Sequence, residues 1–307
     1  MKFSRLAAAA IMAAIALPNV CAKKKTPAPE APTPMRVAWN LDLKNDDGTP
    51  ADSTVLWVSC PDPGKANGTT VVMVPGGGYA FVSMQNEGFD WLDWFKEKGY
   101  TVGIINYRLP HGNPQKPIED VRRAIGFFKA HSQELGIDPD RIGVMGFSAG
   151  GHLAATTAVT PLPDMQHPTL RPNTANNQPI MIGAPAFQVL FYPVISLTPQ
   201  ITHSESRNNF LGSDATPDMV LAYSPERHVQ PTTPPAFIVV AQDDPIVKPE
   251  NSLVYYQALT AAGVPVEMHA YPTGGHGFGF SKQFLAHDYM LANLDAWLQS
   301  LYQTPGQ

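Results

Sequence analysis

Two cysteines in 307 residues exclude a disulfide scaffold, the usual device of chains too small to bury a core. Cys60 follows the apolar run Val55-Leu56-Trp57-Val58 and reads as a small buried hydrophobe rather than a nucleophile. Charge is scarce too: charged side chains make up 15% of the chain, with 21 Lys+Arg against 26 Asp+Glu and a net charge of −5. No basic stripe stands out. An electrostatic nucleic-acid binder is therefore excluded, because such a protein must replace phosphate counterions. No apolar run approaches the ~20 residues that a membrane-crossing helix needs. Internal repeats, a Gly-rich dinucleotide fingerprint and metal-ligand spacing are all missing, so neither a cofactor nor a metal is expected. What is present is a globular 44% of apolar residues and 31 prolines, roughly twice the average usage, which predicts long irregular connections.

The leading residues 1–22 read as a secretory signal. Lys2 and Arg5 supply the positive start, Leu6 to Leu17 an apolar run, Pro18 a break, and Val20-Cys21-Ala22 a small-residue cleavage site before Lys23. A lipoprotein signal with Cys21 lipidated is the competing reading, although Asn19-Val20 is a poor approach to such a cysteine. Either way the chain is expected to be exported, to the periplasm or outside the cell. Removing the signal takes two basic residues and no acid with it. Residues 23–49 have the composition of a linker and N-terminal extension, basic and then rich in Pro and Ala. The domain proper is expected over 50–307.

From residue 55 short β-branched runs alternate with helical stretches. Strands are expected over Val55–Ser59, Thr70–Pro75, Thr101–Tyr107, Arg141–Gly146, Phe187–Tyr192, Ala236–Ala241 and Val266–Tyr271. Helices are expected over Gly88–Lys98, Pro117–Leu135, Ala149–Val159, Pro249–Ala262 and Ser281–Leu301. Runs such as Val71-Val72-Met73-Val74 are apolar throughout, as strands covered on both faces must be. The alternation predicts an α/β fold, a doubly wound and mostly parallel sheet. Two polar stretches fall outside it. Residues 161–185 follow a helix and belong on the face remote from any site. Residues 196–234 leave a strand at its carboxyl end, where ligands bind, and are the expected cap.

The chemistry concentrates in Gly146-Phe147-Ser148-Ala149-Gly150, set between a strand and a helix. A serine on such a turn is held exposed, its flanking glycines relieve crowding, and the helix N-terminus offers N–H groups to a developing oxyanion. Its partners follow in the order acid, then histidine. The acid is Asp244, preferred over Asp243, just after a strand; the base is His276 in Thr273-Gly274-Gly275-His276-Gly277-Phe278, the only one of nine histidines so placed. Pro75-Gly76-Gly77-Gly78-Tyr79 follows the Val71–Val74 strand, and Gly77, Gly78 and Ala149 are the expected oxyanion donors. Tyr79 and His203 are candidate substrate contacts. His152, one turn beyond Ser148, reads as a residue packed or hydrogen-bonded locally.

These pieces resemble the α/β-hydrolase superfamily and, within it, the secreted bacterial carbohydrate esterases of the acetyl xylan/feruloyl type. Tyr107-Arg108-Leu109-Pro110, Tyr192-Pro193-Val194-Ile195-Ser196 and Glu250-Asn251-Ser252 carry the narrower resemblance. It implies an α/β-hydrolase fold with a short cap and a serine carboxylic-ester hydrolase acting on acylated carbohydrate such as acetylated xylan. A prolyl-oligopeptidase-like serine peptidase and a non-catalytic carbohydrate-binding pseudo-hydrolase are the rival readings. The acyl group, acetyl or feruloyl, stays open.

Overall fold

The computed structural model describes residues 35–39, 54–62, 64–160, 169–170, 180–181 and 183–303. The expected signal segment 1–22, Cys21 with it, lies outside these residues, as do most of 23–49 and of 161–185. Among the described residues, ten strands form in chain order: β1 (Met35–Trp39), β2 (Thr54–Ser59), β3 (Thr70–Val74), β4 (Thr101–Asn106), β5 (Ile142–Phe147), β6 (Thr169–Leu170), β7 (Ile180–Met181), β8 (Gln188–Phe191), β9 (Ala236–Ala241) and β10 (Val266–Tyr271). Eight of them make one sheet in the order β1-β2-β4-β3-β5-β8-β9-β10, while β6 and β7 pair only with each other. Pairing is parallel from β4 through β10 and antiparallel at β1–β2 and β2–β4.

Sequence periodicity explains the layers. Successive residues of a strand point to opposite faces. Val72 and Val74 of β3 meet Ile118, Val121, Ile125 and Phe128 of α2 (Gln115–Ala130) and Leu153 of α4 (Ser148–Val159). Val71 and Met73 enter the other core, with Trp91, Phe95 of α1 (Leu92–Glu97) and Met290, Leu294 and Trp297 of the C-terminal helix His287–Ser300. Both faces are covered, so the central strands are apolar at nearly every position, with buried polar residues such as Thr70, Thr101 and Gln188 at their starts. The edge strand β10 instead has no fully buried residue, and Glu267 and Ala270 are exposed.

Several expectations need correction. The sheet begins inside the segment read as linker, because Met35–Trp39 pairs with β2 in register from Met35 opposite Val58 to Trp39 opposite Thr54. Val37 is buried in the core, and the Arg36 guanidinium lies 5.9 Å from the centre of the Trp57 ring across the pair. The Pro117–Leu135 helix is two helices, with His131 at non-helical dihedrals between α2 and α3 (Ser132–Leu135). The last helix starts at His287 rather than Ser281. The intervening residues turn so that Phe284 can stack on Phe278 at 4.2 Å.

The cap segment is more regular than its polar composition implied. It holds α5 (Ser204–Leu211), α6 (Pro217–Ala222) and a short 3₁₀ turn at Pro225–Arg227. Thr216-Pro217 starts α6 for a local reason: the Thr216 hydroxyl accepts the Met219 N–H, and proline sits where its missing N–H costs nothing. The remaining helix of the main layer is α7 (Glu250–Ala261), which leaves the His287–Ser300 helix as α8.

Close helix–sheet contact sets a testable limit. A Cβ on Gly103 of β4 would lie 2.7 Å from Phe128 Cζ and 3.0 Å from Leu56 Cδ1. Gly103→Ala is expected to cost about 1–3 kcal/mol by overpacking, read as a lowered urea midpoint at unchanged slope.

Candidate active site

Three missing side chains let the nucleophile turn form. Gly150 touches the end of β3 so closely that a Cβ there would overlap the Val74 and Pro75 carbonyl oxygens. A Cβ on Gly146 would lie 2.7 Å from Ala154 Cβ, and one on Gly76 would lie 2.9 Å from Ser148 Cβ. The strand β5 thus runs straight into α4, and Ser148 takes φ +52°. A non-glycine residue in that region is strained, and the strain persists only because the surroundings fix it.

Ser148 Oγ lies 2.8 Å from His276 Nε2, and His276 Nδ1 lies 2.7 Å from Asp244 Oδ2. A carboxylate only accepts, so Nδ1 carries the proton and the bare Nε2 faces the serine hydroxyl. Asp244 is held in turn: its Oδ1 accepts the N–H groups of Ile246 and Val247 at 2.8 and 2.9 Å. Asp243 points elsewhere. Its Oδ1 accepts the Gly275 N–H at 2.8 Å and pins the loop that carries His276. The structure therefore brings together the serine, the preferred acid and the histidine, which lie 96 and 128 positions from Ser148 in the chain.

Gly77 and Gly78 turn at φ +118° and +63°, conformations open to glycine at little cost. Tyr107 supports this turn from below by donating its hydroxyl to the Pro75 carbonyl at 2.9 Å. Ala149 is in the first turn of α4, where N–H groups have no partner within the helix.

Tyr79 is not available to a substrate as expected. It is 1% exposed, stacked on Phe210 of α5 at 4.7 Å, with its hydroxyl 2.7 Å from His152 Nδ1. Its φ of +59° turns the ring inward from the glycine run. His152 is not locally bonded either: its Nε2 donates to the Tyr223 carbonyl, 2.8 Å away and 71 residues along. That bond fixes Nε2–H, so Nδ1 accepts from Tyr79. Burial pulls the His152 pKa down to about 4. His203 stands at the start of α5, half-buried, with Nδ1 2.8 Å from the Ser206 hydroxyl. Burial lowers its pKa as well, and it feels the charges of Glu205, His276 and Asp244. The cap reaches the glycine turn directly through Asn209, whose Nδ2 donates to the Gly78 carbonyl at 2.8 Å.

The BD-FAE family profile matches residues 56–259. This chain belongs to the BD-FAE family. It is 37% identical to an acetylxylan esterase of Xylanibacter ruminicola over 79% of its own length and 48% of that relative. It is 30% identical to endo-1,4-beta-xylanase B of Butyrivibrio fibrisolvens over 67% of its length and 32% of that relative. The chain thus spans half or less of these two curated relatives. Among solved structures, an acetyl ester-xyloside bifunctional hydrolase from Caldicellulosiruptor lactoaceticus superposes with a TM-score of 0.73 at 33% identity, covering 85% of this chain and 92% of that one. The fold is the α/β-hydrolase fold.

In this BD-FAE chain the motifs of narrower resemblance are scaffolding around the triad. Asn251 is wholly buried: its Oδ1 accepts the N–H groups of Ile195 and Ser196, and its Nδ2 donates to Ile201 and Lys248 carbonyls. Arg108 clasps the buried Asp120 through Nε and Nη2, and Asp120 also accepts the Arg108 N–H. Sequence reading missed Asp120, whose place near the start of the expected Pro117–Leu135 helix gives it no distinguishing signal. It missed Asn86 and Glu87 too, which follow the glycine turn and lie against Gly277 and Gly76. Their signal is weak, since an acid ahead of an amphipathic helix is commonplace. Among the described residues, no group of three or more His, Cys, Asp or Glu side chains could hold a metal ion, and no helix is long and apolar enough to cross a membrane.

The buried His152 makes stability depend on pH. Unfolded, it titrates near 6.5; folded, near 4. Below pH 6.5 the unfolded chain binds a proton that the folded chain refuses, so stability is full above that pH and falls as pH drops toward 4. The loss attributable to this group is about 3 kcal/mol. Urea midpoints measured from pH 7 to 4 should show that slope, and His152→Gln should flatten it.

Proposed function

We propose that this chain is a serine carboxylic-ester hydrolase that removes acetyl groups from xylan-type polysaccharide or oligosaccharide. The observation that carries the reading is the unbroken line Ser148 Oγ, His276, Asp244 at 2.8 and 2.7 Å. The Ser148 oxygen attacks the ester carbonyl while His276 Nε2 takes its proton. Asp244 holds the imidazole in the required tautomer and stabilises its charge. The oxyanion is received by the N–H groups of Gly77, Gly78 and Ala149. As the ester C–O bond breaks, His276 returns that proton to the departing sugar oxygen, which leaves as a hydroxyl, and the same nitrogen then activates the water that releases acetate from Ser148.

The sugar side of the substrate is the cap side. His203, which stands at the start of α5, is near enough to His276 and Asp244 to feel their charges. Phe81, 62% exposed, lies against Gly77 and offers an apolar face to a sugar ring. A polar wall suits a sugar alcohol, whose hydroxyls need partners once water is excluded. The names of the similar acetylxylan esterase and acetyl ester-xyloside hydrolase support the same substrate class. Export fits a polymeric substrate that cannot enter a cell, and the leading sequence supplies the signal.

Ser148→Ala should cut ester hydrolysis by ~10³-fold or more with an unchanged circular dichroism spectrum. Acetate release from acetylated xylo-oligosaccharide, measured beside ferulate release from arabinoxylan fragments, tests the acyl group. Ferulate without acetate would overturn it. Asp244→Asn should cost about 10³- to 10⁴-fold in kcat, because amide nitrogen or tautomer fails at His276. Asp243→Asn should cost far less, since an amide oxygen still accepts the Gly275 N–H. His203→Ala should slow hydrolysis of an acetylated oligosaccharide more than that of a small aryl acetate. Equal losses would remove His203 from sugar recognition.

A further inference from the structure

One buried acid takes no part in the proton transfers above. Glu87 is 4% exposed, in the turn between the glycine run and α1. Its Oε2 accepts the Gly76 N–H at 2.8 Å, and its Oε1 accepts the Tyr192 hydroxyl at 2.9 Å. That hydroxyl in turn accepts the Gly279 N–H at 3.0 Å. The neighbouring Asn86 repeats the pattern: its Nδ2 donates to the Gly277 carbonyl at 2.8 Å, and its own carbonyl accepts the Phe280 N–H at 3.3 Å. Two consecutive residues thus hold the start of the glycine turn on one side and residues 277–280, just past His276, on the other. The Tyr192 ring packs edge-on against the His276 imidazole at 4.8 Å.

The sheet itself does not supply this connection. The glycine turn follows β3 and the histidine loop follows β10, and three strands, β5, β8 and β9, lie between them. Yet acyl transfer needs the oxyanion donors and the base set to within a fraction of an ångström of one another. The groups aimed at Glu87 are donors: Gly76 N–H, the Tyr192 hydroxyl and the Ser83 side chain. A carboxylate has only acceptor sites and satisfies them all, whereas an amide in its place would set an NH₂ group against one of them. Burial raises the carboxyl pKa above the usual carboxylate range, and these donors with the nearby His276 offset only part of that rise.

We propose that Glu87 is a positioning residue, fixing the oxyanion turn at Gly76 and, through Tyr192, the His276 loop in one mutual geometry for acyl transfer. The inference rests on the ester-hydrolase reading. It concerns the transition state and not substrate capture, so its mark is a loss in kcat with KM preserved.

The test uses Glu87→Gln, Tyr192→Phe and the double variant of the full chain, assayed on an aryl acetate. A second measurement is inhibition by a small boronic acid, which forms a tetrahedral adduct on the serine and occupies the oxyanion position. Glu87→Gln should lower kcat by about 10- to 100-fold with KM within threefold, and weaken the boronic acid by a similar factor. Tyr192→Phe should move both quantities in the same direction by less. The double variant should lose clearly less than the product of the two single losses, because the two share the Tyr192–Glu87 bond. If Glu87→Gln does not fold, Tyr192→Phe carries the test with the same two readouts. Folded variants with wild-type kcat, a loss confined to KM, or multiplicative losses in the double variant would overturn the proposal while the wild type stays active. A wild type that hydrolyses no ester and takes no fluorophosphonate at Ser148 would overturn the ester-hydrolase reading, and this proposal with it.

Discussion

Everything at this site depends on how closely the carboxyl ends of β3 and β5 approach each other. A Cβ on Gly150 would overlap carbonyl oxygens of Val74 and Pro75, and one on Gly76 would lie 2.7 Å from the Phe147 carbonyl. With those atoms missing, the two strand ends meet, α4 begins directly after β5, and Ser148 is pushed to φ +52°. The same approach brings the glycine turn after β3 beside the first N–H groups of α4. On the proposed reading, nucleophile and oxyanion donors are therefore one consequence of one packing contact. A helix N-terminus adds its dipole in the same direction.

A contact that close leaves many backbone groups away from water, and each must be paired. Buried polar side chains do this work. Tyr107 serves Pro75, Asn251 serves four backbone groups around Ile195 and Lys248, and Asp120 serves both the Arg108 backbone and its guanidinium. The motifs that look family-specific in the sequence are of this kind. Tyr192 packs on the His276 imidazole itself. Tyr107, Arg108 and Asn251 instead hold the surrounding loops, and an alanine in place of one of these three would strand a buried donor or acceptor at a cost of about 1–3 kcal/mol.

How much could be read beforehand follows from the range of each interaction. Seven of the sheet strands and the serine, acid and histidine positions were legible, because apolar runs and glycine-flanked turns are local signals. The β1 strand was not: five residues isolated in a Pro/Ala-rich stretch show no run of their own, and only pairing with β2 makes them a strand. Tyr79 was taken for a substrate contact because it closes the glycine run, but its ring is claimed by Phe210 and His152, residues 131 and 73 positions away. Glu87 was not singled out at all, because nothing beside it in the sequence marks it. Its partners lie 11 and 105 positions away on either side. Cap helices were missed because their apolar residues serve the body of the domain, as Phe210 and Leu211 do, and leave the rest polar.

Those cap contacts bear on how recognition and rate are related. Asn209 of α5 bonds the Gly78 carbonyl, and Phe210 stacks on Tyr79, the next residue along. Tyr79 bonds His152 inside the nucleophile helix, and His152 bonds back to Tyr223 just beyond α6. The chain of contacts closes on itself: cap, glycine turn, nucleophile helix, cap. A displacement of the cap cannot occur without disturbing the Gly78 carbonyl or exposing the neutral imidazole that joins the two. The cap is thus built as a fixed wall and not as a lid, and on the proposed reading its sugar-facing side chains are held to the same frame as the oxyanion donors. Specificity changes made in α5 will carry over into kcat wherever they loosen Asn209 or Phe210, and will stay in KM where, as at His203, the side chain bonds only within its own helix turn.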